Sequence, residues 1–335
     1  MPTTSNDPVY MQIPSESNLA KAIVQTVAYV DVFDYPLRPA EVHRYLIGLA
    51  VPRQAVDETL ANGYLVPRHL ERQDGYITLP GRRQIVEMRR QREVVAHHLW
   101  PVALHYGRAI AGLPFVRMVA VTGSLAVNNA TPDADIDYLI VTSNDRLWLC
   151  RALIILIVRL AARREVSLCP NYLLSERALV FPEQNLYTAH ELAQMVPLSG
   201  QNLYRRIRRL NCWVDRWLPN AGGSPRPVSH LSLEVEPLRP RLQRLLEWGL
   251  DSRLGQRLET WEMERKLAKL NRQATAQEAA QKAAQKAAQQ PGRGTDPAAL
   301  EVQFSADWCK GHFDGHARHI MNAYHERIHT LGVES

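Results

Sequence analysis

Apolar positions in the first ninety residues recur first with the period of a helix and then with that of a strand. Leu19, Ile23, Val27, Val30 and Phe33 stand at helical spacing behind Ser17, a capping residue type, and Pro36 ends the run. A second helix is predicted after Pro39, through Glu41, Val42, Tyr45 and Leu46 to Gly48. A third opens at Pro52, carries Val56 and Leu60, and stops at Gly63. Tyr64-Leu65-Val66 and Tyr76-Ile77-Thr78-Leu79 then form two short apolar runs, with the turn chemistry of Asp74-Gly75 between them. That pattern predicts a β-hairpin.

Three helices and a hairpin in this order predict a helix-turn-helix with a wing, a winged helix, over residues 1–90. A charged helix from Arg82 to His98 leads onward, after which strands alternate with helices. The predicted order is strand Val116 to Thr122, a short helix after Ser124, strand Ile136 to Thr142, helix Arg146 to Arg164 and strand Ser167 to Leu174. Such alternation predicts an α/β (α+β) domain with a mixed sheet over 91–218. Beyond Ala189 the pattern is mainly helical, so 219–335 is expected to be a helical C-terminal region. Gly222 to Pro227 forms a Gly/Ser/Pro joint, and an Ala/Gln/Lys-rich insert at 274–296 reads as a solvated helix or a disordered segment. Order is expected again from Leu300, ending in a helix from Gly315 to Leu331.

Composition narrows the partners. A chain of 335 residues has room for two or three cores, and 46% apolar with 22% charged residues is ordinary for a soluble protein. The net charge of +6 permits a nucleotide or nucleic acid partner without requiring one. Arg205, Arg206, Arg208 and Arg209 form the densest basic run, equally readable as the solvated face of a helix. Arg53, Arg68 and Arg72 lie on the third helix and wing, where DNA binding would need them. Asp57, Glu58 and Glu71 dilute that charge, and such a module also serves as a protein contact. The most apolar stretch, Leu147 to Ala162, contains Arg151 and Arg159 and is shorter than the about 20 residues that span a bilayer. It predicts a buried helix and no membrane partner. Met1 to Pro14 is polar, with no basic-then-apolar leader, and Cys150, Cys169, Cys212 and Cys309 follow no framework spacing. The expectation is a cytoplasmic protein with free thiols.

One segment carries chemistry. The hydrophobic run Val119-Ala120-Val121-Thr122 ends in Gly123-Ser124, and after Leu125 to Ala134 a second hydrophobic run opens as Asp135-Ile136-Asp137-Tyr138. Alternation along a strand turns Asp135 and Asp137 to one face and Ile136 to the core. Two carboxylates held so close are costly without a cation between them, and Mg²⁺ (or Mn²⁺), with its preference for oxygen, suits them. Gly123 allows a phosphate to approach the backbone, and Ser124 offers a hydroxyl at the start of a helix.

A hydrophobic strand, Gly-Ser, a spacer of about ten residues and Asp-x-Asp on a strand resemble the signature of the polymerase-β-like nucleotidyltransferase superfamily. The resemblance implies a mixed sheet with metal ions bridging Asp135 and Asp137 to the triphosphate of an NTP. It further implies in-line attack by an acceptor hydroxyl on the α-phosphate. Members of the family usually add a third carboxylate on a later strand, where this sequence has Asn171 in Leu168-Cys169-Pro170-Asn171-Tyr172-Leu173-Leu174. An amide oxygen coordinates weakly and cannot act as a base. Glu176 and Asp133 are the nearby substitutes. The whole chain also resembles bacterial proteins with a winged helix ahead of such a domain, described as predicted nucleotidyltransferases. Asp31-Val32-Phe33-Asp34-Tyr35-Pro36-Leu37, Asn171-Tyr172-Leu173-Leu174, Pro197-Leu198 and Lys310-Gly311-His312-Phe313 carry that likeness.

Near the end of the chain, Lys310 is expected at the start of a helix, where it would neutralise a triphosphate. His312/His316 and His325/His329 are four apart and share helix faces, but with Cys309 they do not complete a standard zinc spacing. The expected function is Mg²⁺-dependent transfer of a nucleotidyl group from an NTP to an acceptor: RNA, protein or a small molecule. The alternative is a catalytically inactive domain acting as a nucleotide- or nucleic-acid-binding regulator. The expected catalytic set is Asp135, Asp137 and Asn171, with Gly123, Ser124 and Lys310 for the nucleotide.

Overall fold

The computed structural model describes residues 18–226, 240–268, 305–310 and 316–333. Ser17, the insert at 274–296 and His312, for which the sequence carries expectations, therefore lie outside the described residues. The chain opens with helices α1 (Asn18–Asp31), α2 (Pro39–Arg44) and α3 (Arg53–Ala61), followed by a two-stranded antiparallel hairpin, β1 (Glu71–Gln73) and β2 (Tyr76–Thr78). The first hairpin strand is not the apolar Tyr64-Leu65-Val66, which forms bends and turns. Asp74 and Gly75 both adopt positive φ, 51° and 82°, as a two-residue hairpin turn requires. A turn that tight pairs the residues beside it, so polar Glu71–Gln73 becomes the partner of Tyr76–Thr78.

Helix α4 (Gln84–Ala111) runs further than the expected charged helix, passing through Pro101 and burying Ala96, Trp100, Ala103 and Ile110. The expected boundary at residue 90 therefore falls inside a continuous helix. Then come β3 (Val116–Val121), α5 (Gly123–Ala126), β4 (Ile136–Thr142), α6 (Leu147–Ala162), β5 (Leu168–Ser175), α7 (Leu186–Gln194), β6 (Val196–Ser199), α8 (Gln201–Leu210), α9 (Val214–Trp217), α10 (Pro240–Leu250), α11 (253–268), β7 (Trp308–Lys310) and α12 (His316–Leu331). Strands β6 and β7 interrupt the region read as helical.

Five strands form one mixed sheet in the order β6-β3-β4-β5-β7, with β4 and β5 parallel and the other pairs antiparallel. Alternation divides its side chains between two cores. Val119, Val121, Tyr138, Ile140 and Leu173 face α4 and α6, and Met263 and Leu267 of α11 pack on the same cluster. Glu259 of α11 accepts the Trp148 and Leu149 amides at 2.9 and 2.7 Å, so a carboxylate closes the N-terminus of α6. Met118, Ala120, Leu139, Val141, Tyr172 and Leu174 face the other way, into one cluster with α1, α7, α12 and the hairpin.

The N-terminal helices are thus built into the sheet's second core. Asp31, at the end of α1, accepts from Arg82 and from Arg327 of α12, each at 2.8 Å, and Gln25 donates to the Val333 carbonyl at 3.2 Å. Among the described residues, no helix is long and apolar enough to cross a membrane, and all four cysteines are free thiols.

Candidate functional site

Antiparallel pairing of β3 with β4 brings the end of one strand beside the start of the other. The Thr122 amide donates to the Asp137 carbonyl at 3.0 Å, which sets Gly123 next to the Asp137 side chain. Gly123 has φ +65°, and a Cβ there would collide with Asp137 Oδ2 and lie 3.1 Å from its Cγ. Glycine is required on both counts: for its backbone and for the space that the carboxylate occupies. Ser124 follows in the single turn of α5, and the Asn129 amide returns to the Ser124 carbonyl at 2.8 Å.

Asp135 is exposed just before β4 and does not line the cavity described below, whereas Asp137, two residues on, is partly buried and does. Burial is the main cause that pushes Asp137 up to about 7. The negative charge of Glu191 adds to it, a hydrogen bond from Cys169 opposes it, and Asp135 adds a smaller push. Cys169 is the register partner of Asp137 across the β4–β5 ladder. Between the pairs Asp137/Cys169 and Leu139/Tyr172, β5 holds one residue more than β4, a bulge at Pro170-Asn171. Strict alternation is suspended there, and Asn171 joins the wall of a cavity.

That cavity, about 310 Å³, lies between the sheet and the N-terminal helices. Gly123, Ser124, Asp137 and Asn171 line one side; Tyr29, Val30, Phe33 and Tyr35 of α1 and the turn after it form the roof; Tyr187, His190, Glu191 and Gln194 of α7 close the third side. The roof is fastened by Tyr35, whose hydroxyl donates to the Val127 carbonyl at 2.9 Å, and by Asn129, which donates to the Phe33 carbonyl at 3.1 Å. The segment Asp31 to Leu37, conspicuous in the sequence, supplies Phe33 and Tyr35 of this roof.

Glu191 was not among the expected site residues. It carries hydrogen bonds from Tyr172 and Tyr187; burial pushes it up, while those bonds and the charge of Lys310 oppose the shift. Tyr187, Glu191 and Gln194 stand at i, i+4 and i+7, so a polar stripe on a short helix was the signal available in the sequence. Beside it, His190 is buried, stacked on Tyr29 at 4.1 Å between centroids, and pushed down to about 4 by desolvation. At neutral pH the ring is uncharged. Its Nδ1 lies 3.0 Å from the Leu186 carbonyl and so carries the hydrogen, leaving Nε2 with a lone pair. Nε2 has no protein partner, and neither does Asn171 Oδ1.

Other expected residues are placed elsewhere. Lys310 lies on edge strand β7 rather than at a helix start, buried, with Nζ 3.1 Å from Glu183 and 5.6 Å from the Tyr172 ring centroid. Lys310, Asp133 and Glu176 do not line the cavity, and neither do Arg53, Arg68 and Arg72.

The donors suit a hard cation. Asp137 and the unsatisfied Asn171 Oδ1 offer oxygen only, as does Asp135 outside the lining, and the missing side chain of Gly123 leaves room for the Asp137 carboxylate. The set is small: among the described residues, no group of three or more His, Cys, Asp or Glu side chains is arranged to hold a metal. A metal here would complete its shell from a phosphate and water. Compared with known protein families, with curated proteins and with solved structures, the chain matches none.

Proposed function

We propose that the protein is an Mg²⁺-dependent nucleotidyltransferase, with a nucleotidyltransferase-fold sheet and an N-terminal winged helix, acting in the cytoplasm. The observation that carries the reading is the fit of Gly123 against the Asp137 carboxylate, with Ser124 following in α5. A phosphate-binding turn and a carboxylate pair are useful together only when a cation joins them. Asp135 and Asp137 would hold Mg²⁺ (or Mn²⁺), with the Asn171 amide oxygen as a weaker third donor. The bound ion supplies neutralisation of the triphosphate's charge. Gly123 and Ser124 receive phosphate oxygens through backbone and hydroxyl, and the roof of α1 excludes water from the reacting end. The acceptor oxygen would bond to the α-phosphorus as the bond to pyrophosphate breaks, its proton leaving with the pyrophosphate or to water, and Glu191, on the opposite wall, is the carboxylate left to hold a donor group of the acceptor.

The test is incubation of the chain with labelled NTPs and Mg²⁺ or Mn²⁺, followed by assay of pyrophosphate and of labelled product. Expected is metal-dependent release that Asp137→Asn abolishes. Release unaffected by that change would sink the assignment.

A second reading, a nucleotide-binding regulator without catalysis, is favoured by the amide at Asn171 and by the commitment of Lys310 to Glu183. It expects metal-dependent NTP binding with no pyrophosphate. Asn171→Asp separates the two readings, since added negative charge should tighten Mn²⁺ binding and raise turnover only in a working site.

A further inference from the structure

The cavity beneath α1 holds more binding chemistry than a metal and a triphosphate use. Asp137 and Glu191 face it from β4 and α7, and among the described residues no lysine or arginine lines it. Two carboxylates sharing a desolvated space repel each other, and Lys310, whose charge reaches Glu191 from outside the lining, is already paired with Glu183. Asn171 and His190, each 3% exposed, line the same cavity and leave Oδ1 and Nε2 without a protein partner. The roof adds the rings of Tyr29, Phe33 and Tyr35.

Negative charge, unsatisfied lone pairs and aromatic faces together specify a complement: a cation with N–H donors and an apolar body. An ammonium group meets all three demands, through the carboxylate, through hydrogen bonds to the lone pairs, and through attraction to the ring faces. A divalent ion would use the carboxylates and leave the rings idle. A volume of about 310 Å³ admits a compact body of roughly one ring rather than a polymer.

We propose that the Glu191 end of the cavity binds a small organic ammonium compound with a compact apolar or aromatic body. Its description as the acceptor rests on the nucleotidyl-transfer reading; the binding itself does not.

The test is calorimetric titration of the metal-free full chain with 2-phenylethylammonium, 2-phenylethanol and 3-phenylpropionate, repeated with Mg²⁺ present. The ammonium is expected to bind at least about tenfold more tightly than the alcohol, with no binding of the carboxylate. Glu191→Gln should remove the preference for ammonium while leaving the alcohol within about twofold. Phe33→Leu should weaken the ammonium about threefold, a readout that stands if the first variant does not fold. Equal affinity for ammonium and alcohol overturns the proposal, as does one-for-one displacement of the ammonium by Mg²⁺, which would mean that the carboxylates serve metal only. Mn²⁺-dependent NTP binding is measured on the same preparation. NTP binding without ammonium preference sinks this proposal alone, and ammonium binding without NTP binding sinks the nucleotidyl-transfer reading alone.

Discussion

The arginines of the N-terminal helices and those of α8 and α9 make an instructive contrast. In the first region, Arg89 is buried, donates to both Glu41 oxygens at 2.7 and 2.8 Å and to Glu93 at 2.9 Å, and lies 4.2 Å from the Tyr35 ring centroid. Arg38 pairs with Glu93, Arg53 with Asp57, Arg82 with Asp31 and Asp34, Arg83 with Glu71, and Arg90 with Asp74. Arg68 and Arg72 are the exposed exceptions. In the second region Arg206, Arg209 and Arg216 are exposed and make no ion pair with described residues, while Arg205 bonds only to Gln201 and Asn202. The sequence places basic residues in both, but α8 and α9 leave a larger share of them without a carboxylate partner among the described residues. A segment with the element order of a DNA-binding module ties most of its arginines to carboxylates at its surface, and buries Arg89 against Tyr35 of the roof over the cavity.

The largest expected break in this contrast is Arg89→Ala. Removing one partner of a buried pair strands the other charge and should cost about 3–5 kcal/mol, whereas Arg206→Ala should stay within about 0.5 kcal/mol. Urea denaturation of both variants checks it, and similar losses would erase the distinction.

Asp137 supplies the mirror case, a buried charge without a counterion. Its pKa in the folded chain, about 7, lies above the unfolded value, so folding favours the protonated form. The associated stability is present below about pH 4 and is lost as pH rises through about 7. Asp137→Asn should therefore be more stable than the parent at pH 8, by about 1–3 kcal/mol, and no more stable at pH 4. Melting curves at the two pH values, with and without Mg²⁺, decide it. Saturating Mg²⁺ should narrow the gap at pH 8, because it binds only the folded parent.

A third test concerns polyanions. If the full chain binds duplex or single-stranded nucleic acid, Arg205, Arg206 and Arg209→Gln together should flatten the log–log salt dependence by up to about 0.9 per lost phosphate contact. Arg53, Arg68 and Arg72→Gln should change it less. The reverse order would return nucleic acid binding to the N-terminal helices. The smallest effect is expected at the exposed Arg53–Asp57 pair: Arg53→Gln should shift stability by about 0.3–0.5 kcal/mol in low salt and less in high salt.

Much of this fold was legible in the sequence because its periods are long. The strands through Val119 and Tyr138 and the helices through Val27 and Ile154 each repeat their pattern often enough to be read. Residues β6 and β7 use were not: Val196–Ser199 contains a proline, and Trp308–Lys310 is too short to show alternation. Both become strands because the open edges of β3 and β5 offer them hydrogen bonds. Lys310 changed element for the same reason. Gly123 and Asp137 could be joined on paper, since pairing across one excursion follows from strand alternation. Glu191 could not, because helical spacing says which residues share a face and not what that face meets. The hairpin register depended on reading Asp74-Gly75 as stronger than the apolar run before it.

The bond from Arg327 to Asp31 has a consequence for how the molecule is made. Helix α1 leaves the ribosome well before α12, which holds it through Asp31 and packs against it. The aromatic roof over the cavity is thus braced only once α12 has been made, after strands β3 to β6 beneath it. Until then α1 has mainly α2, α3 and the hairpin to pack against, so the apolar cluster of Ile23, Val27 and Val30 is closed by a contact of very long sequence separation.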